Sequence, residues 1–230
     1  MKSKSNLLSA AVLCALAATS FVASAQTLRV ANQGDALSMD PHSLNESLQL
    51  SVTGNVYEGL VIRNKDLSLA PGLATSWKQT SPTVWRFELR KGVQFHDGTP
   101  FTADDVVFSL QRGAADGSDM KSYVNDIKAV RKVGDHVVEI ETVTPFPILP
   151  EMLSLFYIMS KKWCETNQAL RPVDRRKGVE NAASFRANGT GPFRVQRAPA
   201  QCAHHLCPQR QLLGQDRGQR SGGGLHPDRQ

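Results

Sequence analysis

The apolar positions change period several times along the chain. From 27 to 32, TLRVAN alternates and is rich in β-forming residues, which predicts a strand. QGDALSMDPH (33–42) is a polar loop closing on Asp-Pro, a turn and helix-start signal. Over 43–60, Leu44, Leu48, Val52, Val56 and Leu60 recur at four-residue steps and predict a helix with one buried stripe. The period falls to two in TVWRFELRKGVQF (83–95). There Trp85, Phe87 and Leu89 alternate with Arg86, Glu88 and Arg90, as in a half-buried antiparallel strand. HDGTP (96–100) reads as a turn centred on Asp-Gly, and Thr102 and Asp105 stand in a capping-box relation that starts the helix ADDVVFSLQR. In VNDIKAVRKVGDHVVEIET (124–142) two alternating runs flank Gly134–Asp135, predicting a hairpin whose apolar faces come from Val137, Ile140 and Val143. PFPILPEMLSLFYIMSKKW (145–163) reads as an apolar helix whose start the prolines set, and NGTGPFRVQ (188–196) as a glycine-rich loop feeding a strand. No repeat or linker interrupts 26–196, which makes it an α/β unit with antiparallel strands.

The N-terminus has a different pattern. Lys2 and Lys4 precede an apolar run from Leu7 to Val22 and the small-residue triplet Ala23–Ser24–Ala25. This is the layout of a secretory signal peptide cleaved after Ala25. The run is interrupted by Ser and Thr and falls short of the roughly 20 apolar residues of a bilayer-spanning helix. Cys14 follows the bulky Leu13, which does not suit a lipoprotein cleavage site. The expected product is an exported, periplasmic protein.

Charge adds little. Of the net +6, Lys2 and Lys4 supply two, and five Arg against two Asp in 197–230 supply three, which leaves 26–196 at +1. A near-neutral body gives no sign of a nucleic-acid partner. Of the four cysteines only Cys164 lies in that body, so stability rests on a hydrophobic core and not on disulfides.

Several motifs in fixed order then carry a resemblance. SMDPH (38–42) follows the first strand, and VYEGL (56–60) precedes APGLATSW (70–77). Next come WRFELRKGVQFHDGTPFTADDVVFSLQR (85–112) and NGTGPF (188–193). In these the chain resembles the family 5 extracellular solute-binding proteins, receptors of bacterial ABC importers, across essentially all of 26–196. The resemblance implies a periplasmic-binding-protein type II clam shell, here incomplete: part of lobe one plus an extra domain, with the second lobe absent. It divides the chain into a signal peptide (1–25), the first part of lobe one (26–57), an extra α/β domain (58–160), a return segment of lobe one (161–196) and a tail (197–230). It implies a monomeric importer component that captures a small peptide or similar solute by lobe closure and hands it to a membrane permease, with no cofactor and no enzymatic step. A chain with one lobe is expected to be deficient in binding. Two other classes stay in view: a non-transport, chaperone-like binding module using the extra domain, and a metal-binding protein acting through the tail.

That tail reads CAHHLCPQRQLLGQDRGQRSGGGLHPDRQ from Cys202. Cys202, His204, His205 and Cys207 are zinc-ligand types but crowd into six residues without the loop that separates zinc pairs. Its five arginines (counted from Arg197) have no aromatic partner to stack on a base. Read one base later, the codons of 208–229 permit NANYWGKIEGNV and AEVVFTPI, strings similar to what the family carries after GTGPF. The tail is therefore expected to be out-of-frame text, disordered because it has little apolar surface to bury.

Candidate ligand-facing groups come from the loop after the first strand, where open α/β sheets present ligands. The resemblance places backbone groups of Gln33, Gly34, Asp35 and Ala36 towards the cleft, and Asp35 could neutralise a cationic group; an ordinary surface turn explains the same residues. His96, Asp97, Asp104 and Asp105 invite a metal or acid–base reading, but a turn and a helix cap already account for Asp97, Gly98, Thr102 and Asp105. NGTGPF lacks the spacing of a phosphate loop. Trp77, Trp85 and Phe87 are expected in the core.

Overall fold

The computed structural model describes residue 34 and residues 36–195. The predicted strand 27–32, the leader and the tail lie outside the described residues. Helix α1 (Ser47–Thr53) leads to a two-stranded antiparallel ribbon, β1 (Val61–Arg63) with β2 (Leu69–Pro71). A four-stranded antiparallel sheet follows, of order β3-β4-β6-β5, from β3 (Ala74–Ser81), β4 (Val84–Leu89), β5 (Ile127–Gly134) and β6 (Val137–Thr142). Helix α2 (Ala103–Ala114) packs on β5 and β6. Three short helices complete the described chain: α3 (Leu149–Leu153), α4 (Lys161–Thr166) and α5 (Ala182–Phe185).

The alternation in β4 does what its sequence predicts. Phe87 and Leu89 are buried, Phe87 opposite Val138 and Trp85 opposite Ile140, while Arg86 sits on the other face opposite Glu139. Trp77 and Trp85 are half-buried at the margin of this core, Trp85 donating from Nε1 to the Phe146 carbonyl at 3.2 Å. The hairpin forms as expected, but its inward residues are Val138 and Ile140; Val143 is 62% exposed. Positions three apart cannot share one face of a strand whose side chains alternate.

Two predicted helices are cut short. Where a helix over 43–60 was expected, α1 spans seven residues. Its buried residues are Gln49 and Thr53, and Leu44, Leu48 and Val52 are only half-buried. Gln49 Nε2 donates to the Ser38 carbonyl at 2.5 Å and Thr53 Oγ1 to the Gln49 carbonyl at 2.8 Å, so hydrogen bonds inside the fold offset part of the cost of burying this polar face, while Gln49 Oε1 is buried without a partner among the described residues. Val56 and Leu60 are buried beyond the helix end, in two different clusters. The apolar run 145–163 forms α3, an extended stretch and α4. Tyr157 bridges antiparallel to Gly59, and the Ile158 amide donates to the Glu58 carbonyl at 2.9 Å. The β-prone Phe156–Tyr157–Ile158 thus joins another segment, and Ser160 restarts the helix by capping Trp163 N at 3.2 Å.

The core is in two parts. The larger cluster, drawn from residues 60–158, fills the space between the sheet, α2 and α3 with Leu73, Phe87, Phe95, Phe101, Leu110 and Phe156 among others. The smaller joins Val56 and Tyr57 to Met159, Cys164, Ala169 and Ala183.

Candidate functional site

Helix α2 carries the main joint between these parts. Its apolar stripe, Ala103, Val106 and Leu110, belongs to the larger cluster. Beside it Asp105, Ser109 and Arg112, at helical spacing i, i+4 and i+7, are polar and also buried. Asp105 closes the predicted capping box on Thr102, and its Oδ1 also accepts from the Lys161 amide at 2.9 Å. Burial raises the Asp105 carboxyl, opposed by those hydrogen bonds. Ser109 Oγ accepts from the Met159 amide at 2.9 Å. Arg112 Nε donates to the Ala169 carbonyl at 3.1 Å and Nη2 to that of Arg171 at 2.8 Å.

Arg112 also forks onto Asp40 in the SMDPH loop, Nη1 to Oδ1 at 2.8 Å and Nη2 to Oδ2 at 2.7 Å, with neither side chain exposed. The amides of His42 and Val173 complete the carboxylate, each at 2.9 Å. Burial by itself would raise Asp40, but the charge and hydrogen bonds of Arg112 outweigh it and hold the carboxyl below its usual range. His42 Nε2 donates to the Tyr157 carbonyl at 2.9 Å, which leaves Nδ1 to accept from Arg112 Nη1 at 3.0 Å. Burial, and then the Arg112 charge, push this imidazole down to about 4, so it is neutral around pH 7. Its ring stacks on Phe156.

A second joint ties the HDG turn to the NGTGPF loop. The His96 amide donates to the Gly189 carbonyl at 2.9 Å, His96 Nε2 to the Gly191 carbonyl at 2.8 Å, and the Gly189 amide to His96 Nδ1 at 3.3 Å. The Asp97 amide donates to Asn188 Oδ1 at 3.0 Å. Gly98 has a φ of +86°, and Asp97 accepts from Thr99 as a turn requires. The loop in turn lies on the end of α1: Gly191 N donates to Val56 O at 2.9 Å and Phe193 N to Asn55 O at 3.1 Å. A Cβ on Gly189 would overlap the Val56 carbonyl. Here glycine is needed for close approach of two backbones.

Of the ligand-facing candidates, Gln33 and Asp35 lie outside the described residues. Gly34 is exposed beside Leu48, Ala36 is buried, and Leu37 is 63% exposed. An open groove of about 550 Å³, lined in part by Asn167, Gln168, Asn181 and Phe185, lies between α4 and α5. Cys164 is buried and its thiol is pushed up to about 12 by desolvation, the opposite of an activated nucleophile. Among the described residues no group of three His, Cys, Asp or Glu is placed to hold a metal, and His96, Asp97 and Asp105 are engaged in the turn and cap. Sequence reading missed Asp40, His42 and Arg112 as a unit. The available signal was a polar stripe on α2 next to its apolar one, which a helix usually turns to solvent.

Residues 68–202 match the family described as bacterial extracellular solute-binding proteins, family 5, middle region. The chain belongs to this family. Among curated relatives of family 5, the periplasmic oligopeptide-binding protein OppA of Escherichia coli K12 is 31% identical over 181 residues, 65% of this chain and 33% of OppA. The periplasmic murein peptide-binding protein MppA of the same organism is 40% identical over 75 residues, 33% of this chain and 14% of MppA. Two solved structures share the type II fold. NikZ of Campylobacter jejuni, in complex with Ni(L-His), has a TM-score of 0.63 at 26% identity, over 74% of this chain and 33% of NikZ. DppA of Helicobacter pylori, in complex with the peptide STSA, has a TM-score of 0.55 at 27% identity, over 70% of this chain and 34% of DppA. The chain thus spans about a third of the length of OppA, NikZ and DppA, and its likeness to them is to binding proteins, not to enzymes.

Proposed function

We propose that this chain is part of the exported solute-binding component of an ABC importer, contributing one wall of a cleft that closes on a peptide or similar small solute. The carrying observation is the family match over 68–202, with relatives named for oligopeptide and murein peptide binding. The structure of DppA with a bound peptide supports the same ligand class. In this reading 26–57 and 161–196 belong to lobe one and 58–160 to an extra domain. The division of the core into a cluster within 60–158 and a second one joining 56–57 to 159–183 supports those limits. In the same reading the loop Gln33–Ala36 presents its backbone to the ligand, and a membrane permease receives the solute. Nothing is transformed; the protein's work is capture, by hinge closure that removes the ligand from water.

A ligand of drug-like size loses about 70–90% of its exposed surface on binding, which one wall cannot supply. Titration calorimetry of these 230 residues with a tripeptide and a tetrapeptide is therefore expected to show no tight binding, while millimolar peptide shifts the NMR amide signals of Gly34 and Ala36. Micromolar affinity for the chain alone, or shifts confined to residues remote from 33–37, would overturn the reading. N-terminal sequencing of the periplasmic form is expected to begin at Gln26.

A further inference from the structure

His96 presents both ring nitrogens to one short loop. Nε2 donates to the Gly191 carbonyl and Nδ1 accepts the Gly189 amide, while the backbone of His96 and Asp97 makes two more hydrogen bonds to Gly189 and Asn188. The partners are more than 90 residues apart in the chain. Because Nε2 faces a carbonyl it must carry the proton, and Nδ1 is then the acceptor. A glycine pair has no side chains with which to define its own position. On its other side the loop donates to the backbone carbonyls of Val56 and Asn55 and lies against the Tyr57 ring. Gly189 and Gly191 thus lie between the α1 terminus and the imidazole.

From this arrangement we infer that His96 is a positioning residue: its neutral Nε2–H tautomer acts as a two-pronged clasp that sets the glycine loop against α1 and so aligns the return segment with the first part of lobe one. The inference rests on the domain reading above, and the test below does not depend on ligand binding. A ring that merely filled space would be replaced without loss by Phe. A clasp separates into its two prongs, because the Asn side-chain oxygen reaches roughly where Nδ1 stands and the Gln amide roughly where Nε2 stands.

The experiment is NMR on the full 230-residue chain. In the unsubstituted protein a long-range proton–nitrogen spectrum is expected to show His96 Nδ1 bare and Nε2 protonated. Hydrogen exchange of Gly189 is expected to accelerate about tenfold in His96→Phe and in His96→Gln, and by less than about threefold in His96→Asn, the loss of one hydrogen bond being worth about a factor of ten. In His96→Gln the retained bond to the Gly191 carbonyl is expected to hold Gly191 nearer its original protection than in His96→Phe. Exchange at Ile140, in the centre of the sheet, serves as the control for global folding. A protonated Nδ1 in the unsubstituted chain, or equal Gly189 protection in the Phe and Asn variants, would overturn the clasp. If the Phe variant does not fold, the tautomer and the Asn–Gln comparison still decide.

Discussion

Replacing Arg112 with Met removes one half of an ion pair whose two side chains are fully shielded from water. The methionine keeps the bulk of the stem but leaves the Asp40 carboxylate with two amide donors, His42 and Val173, and no counter-charge. The carbonyls of Ala169 and Arg171 and the Nδ1 of His42 lose their donor at the same time. Breaking a buried pair from one side costs about 3–5 kcal/mol, because the abandoned charge stays in a poor solvent. Against a total stability of about 5–15 kcal/mol for a domain, that is a large fraction. The assay is urea unfolding at pH 7 followed by tryptophan fluorescence, for the parent, Arg112→Met, Asp40→Asn and the double variant. The double variant is expected to lose less than the sum of the singles by about 1–3 kcal/mol, since removing both charges removes the orphan. A loss below about 1 kcal/mol for Arg112→Met, or additivity within about 0.5 kcal/mol, would show that the pair is not desolvated and sink the reasoning.

Stability should also fall with pH in a defined window. His42 is neutral in the fold, its titration held down at about 4, whereas an unfolded histidine titrates near 6.5. Between those values the unfolded chain binds the extra proton, so stability is flat above about pH 6.5 and declines by up to about 3 kcal/mol towards pH 4; urea midpoints against pH should show that slope, and His42→Asn should flatten it. Gly189→Ala should cost about 1–3 kcal/mol in a thermal melt because the new methyl meets the Val56 carbonyl, while Gly134→Ala, which faces open space, should stay within about 0.5 kcal/mol. Asp105→Ala removes the acceptor for both the Thr102 and Lys161 amides and should cost about 1–2 kcal/mol by urea titration, with the loss extending to exchange protection at the start of α4.

Legibility differed from element to element for physical reasons. The β4 alternation, the Asp97–Gly98 turn and the Thr102–Asp105 cap were readable because their determinants lie within a few residues of one another. The same locality misled over 43–60 and 145–163. Leu44, Leu48 and Val52 have helical spacing, yet Gln49, donating to the Ser38 carbonyl, and Thr53, donating to the Gln49 carbonyl, form the buried face. Phe156–Tyr157–Ile158 continued an apolar run, yet a partner almost 100 residues earlier drew it out straight. Of the proposed ligand-facing loop, Gly34 and Leu37 are exposed and Ala36 is buried, a distinction that periodicity does not carry.

By itself the amino-acid order determined the ordered motifs that mark the family and the short-range elements built from them. Only the tertiary structure decided that Asp40, His42 and Arg112 form one buried unit and that His96 holds two glycines near the far end of the described chain. A charged side chain in a sequence is read by default as solvated. Whether a counter-charge 72 residues away makes its burial possible is a fact of three dimensions.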